Sequence, residues 1–67
     1  MDHIRRGSEL SVAEIRELRS IVARSFASTG SVPRLHRERL LALGMISAGM
    51  GGLMPTPAGR IALRMIQ

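Results

Sequence analysis

The chain contains no cysteine, no lysine, no asparagine, no tryptophan and no tyrosine, and Phe26 is its only aromatic residue. Without cysteine there are no disulfide staples. Two histidines alone cannot supply the four nitrogen or sulfur ligands of a structural zinc site, so no metal or other cofactor is expected. The lack of aromatics leaves an aliphatic core, which the 45% hydrophobic content can supply. Missing lysine and asparagine reflect a composition bias of the kind GC-rich coding produces, so the calculated pI of 11.8 overstates any binding requirement. Aspartate is nearly absent too: Asp2 is the only one. With the two histidines far apart and no G-x-x-x-x-G-K phosphate loop, no enzyme constellation can be assembled, and the serines read as caps and surface hydroxyls.

The 67 residues suffice for one small domain. A chain this short buries only about 60% of its unfolded surface, so self-association is a natural way to bury more. All ten basic residues are arginine and stand against five acids, a net charge of +5. That excess favours polyanions through its long-range field. From Leu40 to Gly59 no residue is charged, a stretch close to the roughly 20 residues of a membrane span. Five glycines and two prolines within it interrupt any continuous helix, and no membrane partner is expected. Met1 to Ser11 has Arg5 and Arg6 but no apolar run behind them, unlike a secretory signal, so the cytoplasm is the expected location.

Residues 1 to 10 are unpatterned and read as an arm, with one domain over 11 to 67. Ser11-Val12-Ala13-Glu14 has the S-x-x-E form of a capping box and predicts a helix start. Ile15, Leu18, Val22 and Phe26 then recur on one face, opposite Arg16, Glu17, Ser20 and Arg24, until Ala27 to Gly30 ends the helix with Gly30 as a left-handed terminator. Pro33 opens a second helix. Leu35, Leu40, Leu43 and a packed, hydrogen-bonded His36 form its inner side, Arg34, Arg37 and Glu38 point outward, and Gly44 stops it. Met45 to Ser47 and Leu53 to Thr56, around a glycine-rich turn, predict a two-stranded hairpin with Pro55 confining its strand to an edge. Thr56-Pro57 starts a last helix, with Ala58, Ile61, Ala62 and Met65 facing the domain core and Leu63 and Ile66 on a second flank. The methionines read as core filler. The fold class is therefore mainly α with a small β-hairpin, in the order helix, helix, hairpin, helix.

Leu40-Leu41-Ala42-Leu43-Gly44-Met45-Ile46, a glycine-rich turn, and then Leu53 to Arg60 resemble a winged helix-turn-helix domain of the MarR-like and related small bacterial regulators. In that superfamily a recognition helix enters an "L-x-x-x-G-hydrophobic-Ile" segment, and a two-stranded wing leads to an "L-T-x-x-G-R" helix start. Pro55-Thr56-Pro57-Ala58-Gly59-Arg60 matches that start with proline for leucine. The resemblance spans about residues 32 to 65 and implies a minimal winged-helix-like domain, with the helix over 12 to 27 placed before the recognition helix.

It implies in turn a DNA-binding or transcription-associated protein. Arg34, Arg37 and Arg39 of the second helix and Arg5 and Arg6 of the arm are the candidate contacts to duplex DNA. A homodimer is expected through Ile61, Leu63, Met65 and Ile66 of the last helix. The alternative is a protein-interaction module that docks a larger protein partner through the hydrophobic hairpin and last helix, without nucleic acid. A hairpin tip with no arginine from Ala48 to Gly52 favours that alternative, whereas a contiguous arginine surface favours DNA. A basic amphipathic membrane-surface helix is the third reading, and Gly44 to Gly52 interrupts it.

Overall fold

The computed structural model describes residues 10 to 66. Within them run helix α1 (Val12–Arg24), strand β1 (Ala27–Ser28), a 3-10 turn (Thr29–Ser31), helix α2 (Arg34–Ala42), strands β2 (Ile46–Gly49) and β3 (Gly52–Pro55), and helix α3 (Pro57–Ile66). This is the expected mainly helical domain with a small antiparallel hairpin. Most of the assigned arm lies outside the described residues, but Leu10 belongs to the domain, since it is buried in the core.

The predicted capping box forms. Glu14 N–H donates to Ser11 Oγ at 3.1 Å and Ser11 N–H donates to Glu14 Oε1 at 2.9 Å. The helix ends sooner than the apolar spacing suggests. Ser25, not Gly30, takes the left-handed conformation (φ 64), and its N–H closes on the carbonyls of Ile21 and Val22. That residue breaks the helical period, so Phe26 leaves the inner stripe and stands 47% exposed, while Leu18 and Ile21 are fully buried.

The freed segment becomes the two-residue β1, which makes the sheet three-stranded in the order β1-β3-β2, both pairings antiparallel. The strand holding Pro55 is thus the central one and not an edge. Proline is tolerated because β1 pairs only with Leu53 and Gly52, leaving Pro55 a partner, Ile46, on one side alone. Gly51 (φ 80) supplies the left-handed residue of the hairpin turn.

Helix α2 starts one residue after Pro33, which stands at its cap. It meets the core through its C-terminal half: Leu40 is fully buried, and Leu41 and Leu43 are partly so. Leu35, expected inside, is 76% exposed, because the first turn lies beyond the reach of the core. A Schellman closure ends the helix, with Gly44 at φ 74, Met45 N–H donating to the Leu40 carbonyl at 2.9 Å and Gly44 N–H to that of Leu41 at 3.0 Å.

Thr56 then ties α3 to this same corner. Its N–H donates to the Met45 carbonyl at 3.1 Å, its hydroxyl donates to the Gly44 carbonyl, and that hydroxyl also accepts the Gly59 N–H at 2.9 Å as the helix cap. Gly59 lies directly on the Met45 backbone. This contact sets the rotation of α3 and reverses part of the expected packing. Ala62 and Leu63 face the core with Ile66 partly buried beside them, whereas Ile61 and Met65 point outward, 53% and 79% exposed. Met45 alone of the four described methionines is core filler; Met50, Met54 and Met65 are exposed. No helix among the described residues is long and apolar enough to cross a membrane.

Candidate nucleic-acid interface

Each of the three arginines of α2 has a partner within the chain. Arg34 Nε pairs with Glu38 Oε2 at 3.0 Å, one turn along the same helix and largely in solvent. Arg37, expected to point away, folds back: its Nη1 donates to the carbonyls of Thr29 (2.8 Å) and Val32 (3.2 Å), fastening the 3-10 turn to the first turn of α2. That first turn lacks a side-chain cap, and the Arg37 guanidinium ties the preceding carbonyls to the helix. Arg39 Nε meets Glu14 Oε2 at 3.1 Å, which joins α2 to α1. Arg5 and Arg6 lie outside the described residues.

Glu14 is the only buried charged side chain among the described residues, and its environment explains how it stays ionised. The Ser11 N–H hydrogen bond lowers its pKa from 4.5 most strongly, opposed by burial, and the Arg39 hydrogen bond and charge, with a smaller contribution from His36, lower it further. One carboxylate therefore serves as helix cap and as inter-helix counter-ion. His36 itself is half-buried on α2 and makes no hydrogen bond among the described residues, contrary to expectation. No three His, Asp or Glu side chains among the described residues gather into a metal-holding group.

The unneutralised positive charge lies elsewhere. Arg16, Arg19 and Arg24 on α1 and Arg60 and Arg64 on α3 are all exposed and have no ion pair or hydrogen bond among the described residues. A local signal for this was present in the chain. Arg34 has Glu38 four residues on, the spacing of a helical ion pair, whereas none of these five arginines has a carboxylate three or four residues away. The Arg39–Glu14 pair spans 25 positions and has no such signal.

Two apolar areas are also exposed. On the outer side of the sheet the Phe26 ring rests on Gly52 and the Met54 methyl reaches over Gly49, with Met50 at the hairpin tip 98% exposed. On α3, Ile61 and Met65 form an outward pair one turn apart. Of the four side chains expected at a dimer interface, then, Ile61 and Met65 are accessible, Leu63 is committed to the protein's own core, and Ile66 is half-committed. No family model, curated protein or solved structure matches the chain.

Proposed function

We propose that this chain is a small winged-helix-like protein that binds duplex DNA, chiefly through phosphate contacts. The observation that carries this reading is the imbalance left after the internal ion pairs: five exposed arginines without a counter-ion among the described residues, and Glu17 the one described carboxylate not in an ion pair. The order of α2, glycine, hairpin and capped α3 supports the winged-helix resemblance. Arg34 can exchange its solvent-exposed partner Glu38 for a phosphate at small cost, since exposed pairs contribute about 0 to 1 kcal/mol. Arg37 and Arg39 act in this reading as fixtures of the scaffold. A titration of labelled duplex DNA at several salt concentrations tests it: log Kd should vary with log salt at a slope of about 0.9 per neutralised phosphate. Absence of binding at low salt, or a flat salt response, would refute it.

A second reading, a module that docks another protein, is favoured by one specific observation. Met50, Leu35, Met65 and Ile61 are all more than half exposed, and phosphates do not cover apolar side chains.

A further inference from the structure

The outward side of α3 carries two stripes. Ala58, Ile61 and Met65, at helical steps of three and four, are exposed and apolar; Arg60 and Arg64, one turn apart, are exposed and lie along the neighbouring edge. Neither arginine has a partner among the described residues. The helix beneath them is firmly held: Gly59 lies on the Met45 backbone, Thr56 ties the first turn to Gly44 and Met45, and Ala62 and Leu63 fill the core behind. The result is a firmly held helical face, half apolar and half cationic, with nothing among the described residues to complete it.

We propose that this face docks an acidic amphipathic helix of a partner protein, whose apolar side chains cover Ile61 and Met65 while its carboxylates meet Arg60 and Arg64. The proposal rests on the second of the two readings above and names its site and partner chemistry. Helix-on-helix docking of this kind uses anchors at i, i+3, i+4 and i+7, and the stripe offers three of these, Ala58, Ile61 and Met65, while Ala62 at i+4 is buried.

Charge decides among occupants. A second copy has few carboxylates to offer the arginines: of the three described, Glu14 is held by Ser11 and Arg39, which leaves Glu38, whose exposed pair with Arg34 is weak, and Glu17, neither of them on α3. In an antiparallel two-fold pair of α3 helices the same flank of both lies on one side, so Arg60 and Arg64 would confront their own copies, and like charges across an interface are costly. An anionic lipid surface would satisfy the arginines, but two large apolar side chains give too little buried area to hold a helix in a bilayer interface. A helix with its own acidic flank satisfies both stripes at once.

The test is selection of displayed helical peptides on the full chain. Enriched sequences should carry apolar residues at helical spacing with aspartate or glutamate along one flank, and one of them, synthesised, should bind with an affinity that falls as salt rises. Ile61→Ser with Met65→Ser should weaken that peptide about tenfold or more, and Arg60→Glu with Arg64→Glu should turn the preference toward lysine-flanked peptides. All four side chains are exposed, so the variants should keep the parent's circular-dichroism melt. Enrichment without an acidic excess, or binding indifferent to these variants, overturns the proposal. If Met50→Ser with Met54→Ser abolishes binding while the α3 variants do not, the docking reading stands on the hairpin and the α3 site is wrong. If nothing is enriched, both fail. Sedimentation showing a dimer that Ile61→Ser with Met65→Ser dissolves, or flotation with anionic vesicles lost in the same variant, would assign the face to another occupant and likewise overturn it.

Discussion

Replacing Gly59 with alanine puts the smallest possible side chain into the tightest junction of the fold. The new Cβ would lie within the van der Waals envelope of the Met45 carbonyl oxygen, with the carbonyl carbon at 2.9 Å and Cα at 3.2 Å. These are backbone atoms, so no flexible side chain can yield and α3 must move away from the α2–β2 corner. Two hydrogen bonds span that corner, Thr56 N–H to the Met45 carbonyl and the Thr56 hydroxyl to the Gly44 carbonyl. Their loss costs about 1 kcal/mol each, and overpacking adds about 1 to 3 kcal/mol. Against this, alanine is better than glycine inside a helix by about 1 kcal/mol. The net loss is about 2 to 4 kcal/mol, most of what a domain this small has in reserve. Urea unfolding followed by circular dichroism measures it. Gly30→Ala is the matched control: nothing lies within 4 Å of its Cβ and its φ is not left-handed, so that substitution should stabilise by about 0.4 to 1 kcal/mol. A Gly59→Ala protein as stable as its parent would refute the clamp and, with it, the account of why α3 has its observed rotation.

Three further outcomes follow from the packing. Leu40→Ala should cost about 2 to 5 kcal/mol of unfolding free energy, since Leu40 is fully buried, whereas Leu35→Ala at an exposed position should cost less than about 0.5 kcal/mol; equal effects would mean the register of α2 is wrong. Glu14 has a lowered pKa, so its stabilising contribution is fully present above 4.5 and is lost as pH falls through the depressed value. The urea midpoint should therefore drop on acidification below 4.5, and Glu14→Gln, measured over the same range, should flatten that drop. Ser25→Gly should stabilise by a few tenths to about 1 kcal/mol in thermal unfolding, because a left-handed residue favours glycine by more than glycine's extra chain entropy removes.

What the amino-acid sequence determined by itself was local. The Ser11–Glu14 box, Gly44 after an apolar run, the glycines of the hairpin and the Thr56-Pro57 start each act within four residues, and each marks an element where the structure has one. Charge was legible in the same way, since Arg34 has its carboxylate four positions on and Arg16, Arg19, Arg24, Arg60 and Arg64 have none at the three- or four-residue spacing of a helical ion pair. The rest needed the chain to meet itself. Two residues of β1 make no periodic pattern, and they become a strand only because Leu53 and Gly52 present an open edge to them; that pairing also moves Pro55 into a central strand. Arg39 reads from sequence as a phosphate contact, and nothing local shows that it also pairs with Glu14, 25 positions away. On α3 the apolar residues extend over most of the helix, so spacing alone does not say which side is inner. The backbone contact at Gly59 settles it by turning Leu63 inward and Ile61 and Met65 outward, a choice made by close packing between segments that hydrophobic periodicity does not encode.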